Sequence, residues 1–389
     1  MNILIYEHNH FGIDDLKEVL TKMGHSFKLV SDYDLSERKD SKFEKDFFKL
    51  YEEGKYDFVF TFNYYPIVSN CCQKINKPYL CLIYDSPHIN AYSYTLINSC
   101  NHVFTFDSAD FFFFRDRGIN TINYIPLPVN TSRLERQTKV PNPHFASDIS
   151  FVGALYNEKH NFYERLVDSK ISDYTKGFLE GIMAAQEHIY GNFLLESLIN
   201  GPILDDMMDK MPANPNADGV ETSSYIYANY FLSRKITSNE RIHILEKLDK
   251  SLASKYKVNL YTHTPPKNLK HINCYGAIDY INDMPQVFKN SKINLNISLK
   301  SIKTGIPLRC MDILGSNGFL LTNYQEDILR HFRDGVDLVI YEDYDDLIRK
   351  CDYYLEHDNK RKEISHNGFM KVSKNHSYEK VLNTMFNSL

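Results

Sequence analysis

Short unbroken apolar runs, separated by stretches of helical spacing, constrain this chain more than any other feature. Asn2–Tyr6, Asp57–Phe62, Tyr79–Tyr84, His102–Phe106 and Thr121–Ile125 read as buried strands, and Ser26–Val30 as another. Between them, Asp14–Met23 sets Leu16, Val19, Leu20 and Met23 on one helical face, and Phe43–Tyr51 and Ile67–Ile75 have the same spacing. A strand apolar along its whole length needs cover on both faces. Strand and helix in alternation supply that cover when the strands run parallel between two helical layers. The expectation is a doubly wound α/β domain.

The pattern returns in the second half. Asp148–Val152, Lys257–Tyr261, Ile272–Tyr275, Lys292–Ile297, Gly318–Thr322 and Asp337–Ile340 read as strands, with helices at Met284–Asn290 and Leu308–Gly315. About a hundred residues of helical pattern, including Tyr174–Ile199 and Asn239–Leu252, separate the first two of these strands. That is too long for one crossover and reads as an all-helical insertion. With 389 residues there is room for two domains and the insertion. We expect an N-terminal Rossmann-like domain over 1–130, a Pro-containing linker over 131–147, and a second Rossmann-like domain over 148–375. The insertion would span about 160–256, and a C-terminal helix over 376–389 would be free to pack back on the first domain.

Composition narrows the function. The net charge of −5 argues against a general nucleic-acid binder, because such proteins neutralise phosphates with excess Lys and Arg. The seven Cys show neither C-x-x-C spacing nor a Cys/His cluster, which argues against a disulfide framework or a zinc site and for a reducing cytoplasm. No apolar run reaches the length of a membrane span. The first strand runs into polar His8, Asn9 and His10, unlike a signal peptide.

The segment Lys303–Asn323, KTGIPLRCMDILGSNGFLLTN, is the most informative. Gly305 and Pro307 lead into a helix with Arg309 in its first turn and Asp312 on the same face. Free N–H donors, the helix dipole and a guanidinium together suit a diphosphate. A carboxylate one turn on can accept from a ribose diol. The same spacing also fits an ion pair within the helix. The loop Gly153–Tyr156 follows the first strand of the second domain, where backbone N–H groups can approach phosphate. Tyr275 and Tyr280 are candidates to stack on a base, against simple packing at a strand end. Ser298, Lys300 and Lys303 follow the 292–297 strand at its carboxyl end, the ligand edge of an open α/β sheet.

The run GIPLRCMDILGSNGFLLTN, followed by Phe332–Gly335 and Val339–Tyr341, resembles the C-terminal domain of the CgeB-like, spore-maturation type glycosyltransferases. These are relatives of the group 1 transferases. FVFTFNYYPIVSN at 58–70, IYDSPH at 83–88, VFTFD at 103–107, YIPLPVN at 124–130, SFVGALYNE at 150–158 and MPQVFKNSKINLNIS at 284–298 resemble the same family. The resemblance implies a GT-B architecture, with two Rossmann-like domains facing a cleft, acceptor on the first and nucleotide sugar on the second. It puts Arg309 at the diphosphate and Asp312 at the ribose. Where the group 1 enzymes often carry a second Glu, eight residues before Asp312, this chain has Thr304.

Transfer by inversion needs a base for the acceptor hydroxyl, and Asp85 or His88 after the Tyr79–Tyr84 strand can supply it. Helix capping by Asp85 and a turn role for His88 are the alternatives. His10, with Glu7, His8, Asn9 and Gly12, follows the first strand, and Asn63 and Tyr64 follow the third; these are acceptor-side candidates. No metal or cofactor is required, because Arg309, Lys303 and a helix N-terminus can carry the leaving charge. The acidic residues Glu342, Asp343, Asp345 and Asp346 read as a helix start.

The expected activity is hexosyl transfer from a UDP-linked sugar to a glycan, protein or cell-surface acceptor, in a bacterial cytoplasm. A nucleotide-sugar epimerase of the same fold, and a non-catalytic sugar- or partner-binding module, are the other readings. The insertion is a candidate for acceptor recognition or a dimer contact; the oligomeric state has no signal in the sequence.

Overall fold

A computed structural model describes residues 1–7 and 10–389. The chain divides into two compact units. One comprises 1–128, 215–221 and 375–389, and the other 129–214 and 222–374.

The first unit holds strands β1 (Asn2–Tyr6), β2 (Ser26–Val30), β3 (Phe58–Phe62), β4 (Tyr79–Leu82), β5 (Asn101–Thr105) and β6 (Ile122–Tyr124). They form one parallel sheet in the order β2-β1-β3-β4-β5-β6. β3 and β4 are buried along their whole length, as their uniform apolar runs require. The edge strand β2 is largely exposed and tolerates Ser26 and Lys28. Helix Ser41–Gly54 starts on Asp40, whose carboxylate accepts from the Lys42 and Phe43 amides, and buries Phe43, Phe47 and Tyr51. Tyr6 stacks on Phe47 at 5.9 Å, and Phe47 stacks on Tyr51 at 6.0 Å. Many of the aromatic residues therefore belong to the core. Helix Tyr378–Phe386 lies in this unit, with the Phe386 ring 5.5 Å from Phe58. Residues 215–221 join it through Asp218, which takes hydrogen bonds from Arg38 and Ser93.

The second unit holds β7 (Ser147–Val152), β8 (Val258–Tyr261), β9 (Asn273–Tyr275), β10 (Ser291–Asn296), β11 (Leu320–Asn323) and β12 (Val339–Tyr341). These pair in parallel in the order β12-β11-β10-β7-β8-β9. The chain leaves β7 for β8 and β9 on one side, then crosses to β10 on the other. The strand order therefore reverses between β7 and β10, and between β1 and β3 in the first sheet. Ligands of open α/β sheets bind at the carboxyl ends of strands at such reversals.

Three local differences from the sequence reading have physical causes. The helix expected over Tyr174–Ile199 runs only as Asp173–Glu187, because Gly191 turns the chain at φ +75° before a short helix resumes at Leu195. Helix Gly201–Lys210, begun by Pro202, is an element the pattern did not single out. Residues 131–147, expected as a linker, lie with the second unit. Asn130 caps helix Thr131–Arg136, Val129 and Leu134 enter the second core, and Arg133 and Gln137 donate to the Ile281 carbonyl. The insertion has its own core around Leu166, Leu179, Met183, Leu195, Tyr227 and Ile236.

A Cβ on Gly315 would lie 2.6 Å from Val129 and 2.9 Å from Leu134. Gly315→Ala should therefore cost roughly 1–3 kcal/mol by overpacking, read from the urea midpoint. Shortening Leu134 to Ala should recover part of that loss; an unchanged Gly315→Ala midpoint would contradict this packing.

Candidate functional site

Gly153 ends β7 at φ +155°, and the guanidinium of Arg309 packs directly on it. A Cβ there would meet the three guanidinium atoms Nη1, Cζ and Nη2 at 3.0–3.1 Å, so only glycine lets the arginine lie across the strand end. Arg309 stands in the first turn of helix Leu308–Gly315, whose N-cap, Pro307, offers no side chain to the free amides. The Nε–H of Arg309 is buried without a hydrogen-bond partner.

Two further arginines converge on the same loop. Tyr156 takes a left-handed conformation at φ +52° and lays its ring 5.1 Å from the Arg241 guanidinium and 5.8 Å from that of Arg234. The Arg234 Nε is also buried and unpartnered. Arg241 donates through Nη1 to the Ala154 carbonyl, and through Nε at 3.2 Å and Nη2 to the Ile297 carbonyl. It thus joins the loops after β7 and β10 across the reversal of strand order. Burial pulls the Arg241 and Arg309 values down; Tyr156 offsets this in part at both, as Glu240 does at Arg241 and Asp312 at Arg309, while the Arg309 cation lowers Arg241 further. Arginine nevertheless keeps its charge at neutral pH. The result is a dense, half-buried positive site with open donors at the ligand edge of the sheet.

The neighbouring acidic groups also have partners of their own, while Asp312 acts on Arg309 and Glu240 on Arg241. Glu240 pairs with Lys300 at 3.2 Å and accepts from the Tyr190 hydroxyl. Lys300, a phosphate candidate by sequence, is buried in that pair and donates to the Glu187 carbonyl. Asp312 is buried and faces the Tyr280 hydroxyl at 3.2 and 3.3 Å from its two oxygens. Tyr280 and Asp312 therefore meet, as two parts of the expected donor set. Tyr275 lies otherwise. Its ring stacks on Tyr261 at 5.2 Å, with His144 against its edge at 5.6 Å. The packing reading holds for it, because β9 ends two strands from the reversal. Ser298 is buried, and its amide donates to Asn323 at 2.8 Å; with Lys303 it lines a cavity at the ends of β10 and β11. Gly305 is buried in the loop before the Arg309 helix.

In the first unit, Asn63 is the hub, buried at φ +61°. Its Oδ1 accepts from the Tyr84 and Asp85 amides at 2.9 and 3.1 Å, which fixes the orientation of the amide. Its Nδ2 then donates to Asp85 Oδ2 at 2.7 Å and lies 3.0 Å from His10 Nε2. His10 Nε2 must accept there, so its ring is neutral in the Nδ1–H form. The His10 amide donates to Glu7 at 2.6 Å. His10, Asn63 and Asp85 thus come together at the ends of β1, β3 and β4. His8 and Asn9 lie outside the described residues.

Two expectations in this unit are corrected. Tyr64 is wholly buried, its hydroxyl 2.8 Å from Thr95, and belongs to the core rather than to an acceptor surface. His88 Nε2 sits 3.0 Å from both the amide and the carbonyl of Tyr64, so its ring braces the turn after β3 and is not offered as a base. Asp85 is exposed and remains available.

Arg241, Arg234 and Glu240 were missed by the sequence reading. Arg241 shares a helix with Thr237, Leu245 and Leu248, all buried, and Glu240 shares one with Ile236 and Ile244. Charged residues at apolar positions of a helical stripe are the signal that could have found them.

Residues 241–387 match the family model described as glycosyl transferase-like. No curated protein sequence matches the chain. Among solved structures, the chain resembles sucrose-phosphate synthase from Thermosynechococcus elongatus at TM-score 0.55 and 10% identity, covering 100% of this chain and 98% of that one. It resembles Anabaena HepE in complex with UDP at 0.54 and 8%, covering 100% of both. It also resembles an alpha-glucosyltransferase in complex with UDP-glucose and abasic DNA at 0.58 and 10%, covering 100% and 99%. Its two parallel six-stranded sheets with flanking helices have the GT-B fold.

Burial also lowers the His88 value below its ordinary 6.5. As pH falls, the unfolded chain takes this proton first. The contribution of His88 is therefore complete at neutral pH and is lost as pH drops from about 6.5 through the folded value. An NMR titration should place its midpoint below that of a free histidine; a midpoint above would contradict the assignment.

Proposed function

We propose that this chain transfers a sugar from a UDP-linked donor to a hydroxyl on a glycan, protein or cell-surface acceptor, without a metal. The reading rests on one observation above the others: the Arg309 guanidinium packed on Gly153 at the reversal of strand order, with its Nε buried and unpartnered. The family-model match and the GT-B fold support it, as do fold neighbours solved with UDP or UDP-glucose. The CgeB-like group is the subfamily we assign.

In this reading the diphosphate lies over the Gly153–Tyr156 loop and the free amides of helix Leu308–Gly315. Asp312, with the Tyr280 hydroxyl against it, holds the ribose. The acceptor oxygen attacks the anomeric carbon, and the bond from that carbon to the β-phosphate oxygen breaks. The charge left on that oxygen meets Arg309, with Arg234 and Arg241 adding to the field. Asp85, oriented by Asn63, is the group we assign to take the acceptor proton.

Arg309→Ala should weaken UDP binding by roughly tenfold or more, since a charge-assisted contact is lost. It should leave the melting temperature unchanged or raised, because a desolvated guanidinium with an unpartnered Nε–H is removed. Calorimetry with UDP on both proteins checks this; equal affinity would overturn the assignment.

A further inference from the structure

At the amino-terminal edge of the second sheet, opposite its ligand edge, a cavity of about 480 Å³ opens to solvent. Lys289, two residues before β10, and Gly315–Asn317, just before β11, form one side of it. Leu134 and the turn after helix Thr131–Arg136 form a second side, and Phe369 on helix Asp358–Asn375 a third. The volume falls within the range of small-molecule sites. The walls are held by close glycine contacts. Gly315 packs on Leu134, and a Cβ on Gly368, the neighbour of Phe369, would lie 2.7 Å from the Leu314 side chain.

The acceptors around this cavity are already used. At the end of helix Leu308–Gly315, the Ser316, Asn317 and Gly318 amides bond the Asp312, Ile313 and Leu314 carbonyls. The Leu134 and Gln137 carbonyls accept from the Lys289 ammonium. Donors are left over. Lys289 keeps a third N–H. Lys139 is exposed and has no ion pair among the described residues. Ser316 is only 3% exposed, and its hydroxyl is buried without a partner. Two lysines stand against one carboxylate, Glu135, while Leu134 and Phe369 add apolar surface. Surplus donors beside an apolar wall complement an anionic group on an apolar body.

The position gives the cavity a role. Helix Leu308–Gly315 carries Arg309 in its first turn and ends on Gly315 in the cavity wall. The two ends are about 12 Å apart along one short rigid helix.

We propose that this cavity is an effector site. It takes a small molecule with one phosphate or carboxylate on an apolar body, and its occupant alters the hold of Arg309 on the donor through the helix between them. The second half rests on the donor reading above. Such coupling is reciprocal, so this ligand and UDP change each other's affinity by the same factor.

The chain has no tryptophan, so Phe369→Trp puts a single indole reporter in the cavity wall. This variant is titrated by fluorescence with phenyl phosphate, inorganic phosphate and benzyl alcohol. Calorimetry with phenyl phosphate on the unaltered chain, Lys139→Ala and Ser316→Ala keeps the test valid if the Phe369 variant misfolds. The expected result is saturable binding of phenyl phosphate, tighter than that of either fragment and weakened roughly fivefold or more by Lys139→Ala. No saturable binding, or equal affinity in both alanine variants, would overturn the site. Saturating phenyl phosphate should also shift the UDP affinity of the unaltered chain by roughly fivefold or more. The concentration giving half that shift should rise with Lys139→Ala. An unshifted UDP affinity would overturn the effector role and leave the donor reading intact. A half-shift concentration unmoved by Lys139→Ala would mark competition at the donor site and overturn the role as well. A chain that binds no UDP would overturn the donor reading and the effector role, while the phenyl phosphate titrations still decide the cavity.

Discussion

Three guanidinium groups held together at one strand end are the constraint on which the second unit is organised. Arg234, Arg241 and Arg309 surround Tyr156, while Glu240 pairs with Lys300 and Asp312 faces Tyr280. Concentrated positive charge with unpartnered buried donors costs folding free energy. In the proposed reading an incoming diphosphate would return the missing hydrogen bonds and neutralise the charge. Gly153 belongs to the same arrangement, since any side chain there would displace Arg309.

Arg241 links this electrostatic site to the architecture. Its Nη1 donates to the Ala154 carbonyl after β7, and its Nε and Nη2 donate to the Ile297 carbonyl after β10. Its work is to hold the two lips of the crevice at a fixed spacing. It stands on helix Ser233–Ser251, the last helix of the insertion, so the insertion is tied directly to the loops after β7 and β10. The neighbouring Glu240–Lys300–Tyr190 contacts extend the same connection to the turn at Gly191.

Much of the fold was legible because parallel strands in a doubly wound sheet are buried on both faces and write themselves as apolar runs. β3 and β4 illustrate this. The placement of Gly153 at a strand end and of Arg309 and Asp312 on one short helix was legible as well, since helix N-termini and strand-end glycines have local signatures. Long-range events were not. Whether Tyr64 or His88 turns inward depends on Thr95 and on the backbone of another strand, which no local pattern encodes. Tyr275 stayed open between two readings because a ring at a strand end looks the same in sequence whether it meets a base or packs, as here, on Tyr261. Arg241 acts on carbonyls 56 and 87 residues away, so only its place on an apolar helical stripe hinted at burial.

In the proposed reading the loop after β7 and the Arg309 helix bind the donor diphosphate. The most direct measurement is a crystal structure of the chain with UDP. The account predicts diphosphate density within hydrogen-bonding reach of the Arg309 guanidinium and the amides of Gly153–Tyr156. Diphosphate density bound elsewhere, with Arg309 still unpartnered, would contradict it.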